Sequence, residues 1–397
     1  MIQISERVAS LSPSATLAMS QKSAQLRASG VDVINMSVGE PDFDTPAHIK
    51  EAAGRAIDEN YSRYTPVAGY LSLRQAVSAK LREENGLEFD PSCIVVGNGA
   101  KQELCNVVLA TVNPGDEVLI PVPAWVSYVE MVKLAGGVPV LVHAGLETDF
   151  KISPEQLEAA VTPRTRLLML NSPCNPTGSI YTPGELEAFA EVLRRYSDVL
   201  VLSDEIYEHI SFAGPVASIA RCGGMSDRVV VVNGVSKAYA MTGWRIGYMA
   251  GPEPVAKAVT KLQGQYTSGA SSIAQKAAEA AYTGSQECVE KMCEAFRRRR
   301  DLIVELASDI PGWRVNRPDG AFYLFPDVSA LIGREIGGRR IETSGDYVMY
   351  LLEVANVATV DGAAFCAPGY IRLSYATSDD NIREAMRRIR EATVAQG

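Results

Sequence analysis

Short, almost wholly apolar runs alternate with helix-length segments from about Cys93 to Gly251. Strands that are buried on both faces show such near-continuous apolar runs, and helices between them are typical of a parallel sheet. The pattern therefore predicts an α/β domain with a largely parallel sheet. The runs are CIVVG, EVLI, VPVLV, RLLML, VLVLS, VVVV and RIGYM.

After Gly251 the pattern becomes mainly helical, with a long helix predicted from about Gln286 to Ile310. The runs GAFYLFP and GYIRLSYA then predict strands, and the segments 346–355 and 379–395 predict helices. The last quarter of the chain is therefore expected to form a smaller α+β lobe.

Composition and charge exclude several classes of protein. The chain has 397 residues, of which 47% are hydrophobic and 21% charged, and its net charge is −9. These values are typical of a folded globular protein. The only basic run is 297–300, whereas a nucleic-acid surface needs clustered cations. No apolar stretch has the roughly 18–20 residues that span a bilayer. We expect neither a nucleic-acid nor a membrane partner.

The expected compartment is the cytoplasm. The sequence begins MIQISERVASLSPSAT, which lacks the basic and then apolar order of a secretion signal. Its seven cysteines are scattered and form no C-x-x-C pair, so neither a disulfide framework nor a zinc ribbon is indicated. The three histidines are far apart in sequence, and we expect no metal site.

A glycine-rich turn at 97–102, GNGAKQ, follows one predicted strand and opens a predicted helix. Free N–H groups at such a helix start favour a phosphate. The third glycine of a dinucleotide-binding G-x-G-x-x-G motif is absent, so a tight structural turn is an equally good interpretation.

Three charged side chains lie after, or at the start of, successive predicted strands: Asp204, Lys237 and Arg245. Taken singly, Asp204 could cap a helix and Lys237 could be a solvated surface charge. Ser236 lacks the closing glycine of a G-x-S-x-G nucleophile elbow, so a serine hydrolase is not supported. Together with the glycine-rich turn, the three could converge on one ligand. Pyridoxal phosphate (PLP) has a phosphate, a ring nitrogen that pairs with a carboxylate and an aldehyde that reacts with an amine.

Seven motifs together resemble the fold-type-I PLP-dependent aminotransferases, within the bacterial class-I branch that contains aspartate and aspartate/prephenate aminotransferases. The motifs are SVGEPDFDTP (37–46), RYTPVAGYLSLRQA (63–76), PGDEVLIPVPAWVSYVEM (114–131), NSPCNPTG (171–178), SDEIYEH (203–209), SKAYAMTGWRIGY (236–248) and IRLSYATS (371–378).

The resemblance implies a fold and a division into domains. The expected fold is a large PLP-binding α/β domain, with a mostly parallel seven-stranded sheet sandwiched by helices, and a smaller α+β domain. The large domain is expected at 46–285. Both chain ends, 1–45 and 286–397, are expected to build the small one.

The resemblance also implies roles in cofactor binding. Lys237 matches the lysine that bonds to the cofactor's aldehyde, and Asp204 the carboxylate that pairs with its ring nitrogen. Catalytic roles are expected for Lys237, Asp204 and Tyr207. Further cofactor-binding residues are expected at Tyr64, Gly99, Ala100, Lys101, Trp125, Asn175, Tyr207, Ser236 and Arg245. Within this set Tyr207 and Asn175 match residues that bond the phenolic oxygen, and Trp125 matches the ring that stacks on the cofactor.

Substrate recognition is implied at five positions. Arg372 matches the arginine that grips the substrate α-carboxylate, helped by Asn175 and the backbone at Gly39. Lys101 occupies the place of a lysine that meets the distal carboxylate of a dicarboxylic substrate, and Trp125 completes the set.

Tyr64 matches a tyrosine that reaches the phosphate in the neighbouring subunit, which implies a homodimer with shared active sites.

The expected function is transfer of the amino group of L-aspartate to 2-oxoglutarate by a ping-pong mechanism, giving oxaloacetate and L-glutamate. Alternatives are an aminotransferase for prephenate or for aromatic or neutral amino acids, a PLP-dependent lyase, or a non-catalytic PLP sensor. Ser12 departs from the family pattern, because many members carry Lys or Arg before PSAT, and this disfavours prephenate. Gly234 stands where many relatives place a phosphate-binding hydroxyl.

Overall fold

The computed structural model describes residues 2–394. These residues form one seven-stranded sheet, one three-stranded sheet and two two-stranded sheets, with helices around them. The strands are β1 Ile34–Asn35, β2 Ile94–Gly97, β3 Glu117–Val122, β4 Val138–His143, β5 Thr165–Asn171, β6 Leu200–Asp204, β7 Val229–Gly234, β8 Gly247–Ala250, β9 Tyr323–Leu324, β10 Glu335–Ile336, β11 Arg339–Arg340, β12 Val357–Ala358, β13 Val360–Asp361 and β14 Ile371–Ser374. The helices are α1 Glu6–Ala9, α2 Ala15–Ala28, α3 Ala47–Asp58, α4 Leu71–Asn85, α5 Ala100–Thr111, α6 Ser127–Leu134, α7 Pro154–Ala160, α8 Pro183–Leu193, α9 Glu253–Gln263, α10 Ser272–Thr283, α11 Glu287–Ser308, α12 Ser344–Val354 and α13 Asp379–Val394.

The predicted sheet is confirmed. Its seven strands follow the order β2-β8-β7-β6-β5-β3-β4. Six of them run in the same direction, and β8 runs in the opposite direction. Successive residues of a strand face opposite sides of a sheet. In β5, Leu167 and Met169 pack into one apolar cluster, whereas Leu168 and Leu170 pack into another. Both faces are therefore buried, which explains why the strands lack polar alternation.

Two predicted strands are shorter than expected because their first residues take left-handed backbone conformations. RIGYM becomes strand only from Gly247, since Arg245 has φ +57°. GAFYLFP is a strand only at β9, and Ala321 ahead of it has φ +55°. Such a conformation is incompatible with extended pairing. The helix predicted at 379–395 is observed as α13, and Ala395 lies outside the described residues.

The N-terminal segment pairs with the C-terminal part of the chain. Strand β1 runs parallel to β12, and the small antiparallel sheet β13-β14-β9 lies entirely in the last quarter. The Nη1 and Nη2 atoms of Arg299 in α11 donate to the Asp42 carboxylate, at 2.7 and 2.9 Å. These contacts support a small domain built from both chain ends. The boundaries at 46 and 286 stay a prediction.

The basic run 297–300 faces acidic and aromatic groups of the same chain. Arg298 bonds both carboxylate oxygens of Asp379, at 3.0 and 3.1 Å, and the Arg300 guanidinium lies 4.8 Å from the Phe212 ring. The run therefore joins α11 to the start of α13 and to the 205–212 segment. None of the helices within residues 2–394 is long and apolar enough to cross a bilayer.

Candidate active site

A cavity of about 420 Å³ lies at the carboxyl edge of the sheet. Strands β5, β6 and β7 are neighbours and parallel, so Asn171, Asp204 and the segment after Gly234 meet there. Open α/β sheets bind ligands at this edge. The predicted site residues that line the cavity are Gly39, Ala100, Lys101, Trp125, Asn175, Asp204, Tyr207, Ser236, Lys237, Arg245 and Arg372.

Asp204 is buried at the end of β6 and has a partner on each carboxylate oxygen. Its Oδ2 accepts a hydrogen bond from the Tyr128 hydroxyl at 2.6 Å, and its Oδ1 accepts one from the Ile206 N–H at 3.2 Å. Burial raises the pKa of Asp204 to about 6, opposed by these hydrogen bonds and by the charge of Lys237. The carboxyl group therefore titrates near neutral pH and is held in one orientation.

Lys237 follows β7 and directs its amine into the cavity, so it is not a solvated surface charge. Its Nζ donates to the Gly39 carbonyl at 2.6 Å and lies 5.8 Å from the centre of the Tyr207 ring. Burial lowers the pKa of Lys237 to about 8, and the positive charges of Arg372 and Arg245 contribute to this shift. A lysine with such a pKa is partly neutral near physiological pH and can act as a nucleophile or base.

Arg372 of β14 also lines the cavity and is 1% exposed. Its Nη1 donates to Asn175 Oδ1 at 2.9 Å, and its Nη2 donates to the Ser37 carbonyl at 2.6 Å. The Tyr323 ring lies 4.5 Å from the guanidinium. The buried Nε donates to no group within residues 2–394. A fixed guanidinium with donor capacity left over suits a carboxylate.

Close glycine contacts build the phosphate-type end of the cavity. A Cβ on Gly247 of β8 would lie 2.1 Å from the Ala100 nitrogen, so only glycine lets this strand approach the start of α5. Gly99 has φ +92°, and a Cβ there would lie 2.4 Å from Arg245 Nη2. The Arg245 guanidinium is held by the Thr242 carbonyl at 2.7 Å. The helix start and this guanidinium together suit an anion.

The same packing explains why glycine stands at position 234, where many relatives have a residue with a hydroxyl. A Cβ at this position would lie 2.8 Å from Gly247 Cα and 2.8 Å from the Ile246 carbonyl oxygen. Neither is the end of a flexible side chain, so no residue with a hydroxyl fits without moving the backbone. The polar groups available at this end of the cavity are therefore Arg245, the N–H groups at the start of α5 and Ser236.

Lys101 lies at the outer end of the cavity, with its Nζ 5.0 Å from the centre of the Trp125 ring. Partial burial and the neighbouring Arg245 lower the pKa of Lys101. Gly99 is not among the residues that line the cavity, but it packs against Arg245, which is. Tyr64 is 99% exposed and lies away from the cavity lining of its own chain.

Sequence reasoning missed two tyrosines. Tyr128 of α6 bonds Asp204, and the Tyr323 hydroxyl lies 2.7 Å from that of Tyr207. Tyr128 is part of the 114–131 motif, and Tyr323 lies in a predicted strand, but neither pattern indicates which polar partner a buried tyrosine meets. The N-terminal segment was missed as well: Ser14, Thr16, Leu17 and Ser20 line the cavity.

Comparison with known proteins agrees with the motifs. A family model described as aminotransferase class I and II matches residues 31–389. The chain belongs to this family. An aspartate/prephenate aminotransferase from Nitrosomonas europaea is 49% identical, over 98% of this chain and 99% of that protein.

Solved structures confirm the fold-type-I architecture of this aminotransferase. An aspartate aminotransferase from Rhizobium meliloti superposes with a TM-score of 0.96 at 42% identity and covers 99% of each chain. One from Thermus thermophilus, solved with maleate, has a TM-score of 0.93 at 44% identity and covers 99% of this chain and 100% of its own. The predicted membership of the class-I branch with aspartate and aspartate/prephenate aminotransferases is confirmed.

Replacing Tyr128 with Phe should raise the pKa of Asp204 above its present value of about 6. The Tyr128 hydroxyl stabilises the ionised carboxylate, and a hydrogen bond contributes about 0.5–1.5 kcal/mol, which corresponds to a rise of roughly half to one pKa unit. Carbon-13 NMR of protein labelled at the aspartate carboxyl carbon measures this titration, with Asp204→Asn assigning the signal.

Tyr350→Phe is the matched control, because its hydroxyl is also buried and donates to the Ala392 carbonyl at 2.9 Å, remote from the cavity. It should leave the Asp204 titration unchanged. An unchanged or lowered pKa of Asp204 in Tyr128→Phe would contradict the assigned role of this hydrogen bond.

Proposed function

We propose that this chain is a PLP-dependent aspartate aminotransferase, which transfers the amino group of L-aspartate to 2-oxoglutarate in two half-reactions and forms oxaloacetate and L-glutamate. One observation carries the proposal. A single cavity holds the buried Asp204 carboxyl, the Lys237 amine with a lowered pKa, and the guanidinium groups of Arg245 and Arg372.

The residues of the cavity fit PLP, the cofactor on which this family depends. Arg245 and the start of α5 would hold its phosphate, since this end suits an anion. Asp204 would pair with the ring nitrogen, and Lys237 would bond the aldehyde. When bound, PLP supplies a carbonyl carbon that takes up the amino group and a ring that withdraws electrons from the substrate α-carbon. Tyr207, Asn175, Trp125, Ser236, Gly99, Ala100, Lys101 and the partner subunit's Tyr64 would complete the binding.

Asp204 would keep a proton on the ring nitrogen. An ionised carboxylate next to a nitrogen base raises the pKa of that base, and the Tyr128 hydroxyl favours the ionised form of Asp204. Pairing with a cation would also lower the pKa of Asp204 from about 6. The two shifts reinforce each other in the bound state.

Lys237 would act as the base that moves a proton from the substrate α-carbon. This step needs a neutral amine, and burial together with nearby guanidinium charge provides one near neutral pH. Its present acceptor, the Gly39 carbonyl, shows that the amine reaches across to the N-terminal segment. The Lys237 side chain therefore spans the space in which the proton would be transferred.

Arg372 would fix the substrate by its α-carboxylate. Asn175 and the Ser37 carbonyl hold two of the guanidinium nitrogens, so the group is oriented before a substrate arrives. Such prior orientation lowers the entropic cost of binding. Gly39 packs against the Tyr323 hydroxyl, where a Cβ would lie 2.5 Å away, and would offer its backbone to the same carboxylate.

A dicarboxylic substrate is favoured by the cation at the other end of the cavity. Lys101 would meet the distal carboxylate, with Trp125 beneath its ammonium. The Thermus relative was solved with maleate, which is a dicarboxylate. The second candidate is prephenate, because the Nitrosomonas relative is named for both substrates. Ser12, where many members carry a cation, favours aspartate over prephenate.

We also propose that the enzyme is a cytoplasmic homodimer whose active sites are shared. Tyr64 is almost fully exposed in one chain although an aromatic side chain of this size gains by burial. A symmetric partner that places Tyr64 at the other subunit's phosphate site would account for that exposure.

Purified protein with PLP should show its highest kcat/KM with L-aspartate when amino donors are compared with 2-oxoglutarate as acceptor. The panel comprises aspartate, aromatic and neutral amino acids, with oxo-acid product measured directly, and glutamate is tested in the reverse direction with oxaloacetate. Lys237→Ala should abolish both turnover and the visible absorbance of lysine-bound cofactor, because no other amine occupies its position.

Lys257→Ala is the control for the panel, because this lysine is exposed and pairs with Glu253 on α9. It should behave as the unmodified protein. A protein that binds PLP yet is inert with every dicarboxylic donor would overturn the substrate. Release of a side-chain fragment in place of amino transfer would indicate a lyase, and cofactor binding without any turnover would indicate a sensor.

Lys101→Ala should raise the KM for aspartate by about 10-fold or more and change that for an uncharged amino acid little, since a hydrogen bond to a charged group contributes about 1.5–3 kcal/mol. Lys133→Ala is the control, because its ammonium pairs with Glu130 at 3.0 Å. Equal effects of Lys101→Ala on both substrates would remove Lys101 from the specificity pocket.

Mixing Lys237→Ala chains with Tyr64→Ala chains should restore activity if active sites are shared. A hybrid dimer would combine both defects in one site and leave the other intact. Random exchange would then give about one quarter of full activity at limiting PLP. Activity that never exceeds the average of the two variants would contradict a role for Tyr64 across the interface.

A further inference from the structure

A buried polar network lies between the carboxyl edge of the sheet and helix α4. Its centre is the Glu208 carboxylate, which accepts hydrogen bonds from Asn85 Nδ2 and Asn233 Nδ2, at 2.6 Å each, and contacts the Lys80 ammonium. Lys80 is 4% exposed, and its Nζ also donates to Asn85 Oδ1 at 2.7 Å. The mechanism above uses none of these side chains.

The network holds its charges firmly. Burial alone would raise the pKa of Glu208, yet the Lys80 ammonium and the hydrogen bonds lower it to about 2. Further titratable groups that face Glu208 are Glu84, Glu205 and His209. A buried ion pair of this kind is costly to disturb, so it fixes the groups that bond to it.

Asn233 connects this network to the lysine of the active site. It is the penultimate residue of β7, and its Oδ1 accepts a hydrogen bond from the Gly234 N–H at 2.7 Å. The chain then runs through a turn to Lys237. Since Gly234 already packs against Gly247 without room for a Cβ, the backbone at the start of this turn is constrained on two sides.

Glu208 connects the same network to the other catalytic segment. It directly follows Tyr207, whose hydroxyl meets Tyr323, and its backbone N–H donates to the Glu205 carbonyl at 3.0 Å. The Asn233–Glu208 hydrogen bond therefore joins the segment after β6, which starts from Asp204, to the segment after β7, which carries Lys237. The Lys80 ammonium anchors both segments to α4.

We propose that Asn233 is a positioning residue, which transmits the fixed geometry of the Lys80–Glu208 pair to the turn that carries Lys237. Through this turn it keeps the Lys237 amine in the cavity that Asp204 also lines, with the Gly39 carbonyl as its acceptor. The inference rests on the proposed function for its catalytic meaning, but the position and titration of the amine can be measured without turnover.

The chain provides a matched control. Asn85 and Asn233 are both buried, at 7% and 2% exposure, and each donates one 2.6 Å hydrogen bond to Glu208. The Oδ1 of Asn85 accepts from Lys80 within α4, whereas that of Asn233 accepts from Gly234. Asn85→Ala and Asn233→Ala thus remove equivalent bonds to Glu208, and only the second breaks the connection to Lys237.

The decisive measurement is the pKa of the Lys237 amine in protein without cofactor, obtained from the pH dependence of its labelling by acetic anhydride and peptide mass spectrometry. Glu40, Arg372, Arg245 and Asp204 act on this amine directly and are unchanged in both variants. Loss of positioning admits water, so Asn233→Ala should raise the midpoint from about 8 by roughly half a unit or more, and Asn85→Ala should leave it unchanged.

With PLP bound, Asn233→Ala should lower kcat several-fold and shift the pH titration of the visible absorbance, while the KM for aspartate changes less than 2-fold, because Arg372 and Lys101 are untouched. Urea midpoints should fall similarly in both variants. If Asn233→Ala fails to fold, Asn233→Ser takes its place, because a serine hydroxyl is too short to bond Glu208 and Gly234 together.

If the titration midpoint of the Lys237 amine is the same in Asn233→Ala and Asn85→Ala, whether shifted or unshifted, the positioning role is refuted. A shifted amine in a protein that transfers no amino group would leave the positioning role intact and refute the proposed function. The two failures are therefore distinguishable.

Discussion

The chemistry of this aminotransferase depends on keeping ionisable groups away from water while giving each a fixed partner. A buried charge without a partner costs several kcal/mol. Asp204 meets this constraint with the Tyr128 hydroxyl and the Ile206 N–H, and Lys237 meets it with a carbonyl. Because each partner compensates only part of the cost of burial, both groups titrate closer to neutral pH than they would in water. Incomplete compensation thus makes them useful for moving protons.

Strand order determines which groups can meet in this way. Strands β5, β6 and β7 are parallel neighbours, so their carboxyl ends bring Asn171, Asp204 and the turn to Lys237 to one edge. Strand β8 runs antiparallel beside β7, and its first residue, Gly247, reaches the start of α5 because it has no side chain. The start of α5, Asp204 and the turn to Lys237 are therefore all positioned by neighbouring strands of one sheet.

The sequence predicts features that depend on patterns within one segment, and it does not predict contacts between residues far apart in the chain. The meeting of Asp204 and the turn to Lys237 was predictable, because parallel strands put their carboxyl ends at one edge and the apolar runs located those ends. The roles of the two residues came from the resemblance to the family and stay a prediction. The start of β8 was placed two residues early, since nothing in RIGYM indicates the left-handed backbone of Arg245. The hydroxyl contact of Tyr128 with Asp204 joins residues 76 positions apart, and composition carries no information on such a pair.

The site also depends on segments far apart in the chain, and this bears on how it would recognise a substrate. Arg372 comes from the C-terminal part and Gly39 from the N-terminal part, while Lys237 lies in the turn that follows β7 of the central sheet. The N–H of Ser12, also in the N-terminal part, donates to the Glu130 carboxylate of α6 at 2.9 Å. A substrate with two carboxylates would contact Arg372 and Lys101 at once and so join the small sheet to α5. A monocarboxylate would engage only one of them. Selectivity in such a site arises because the substrate links Arg372 of the small sheet to Lys101 of α5, as well as from charge complementarity at each residue.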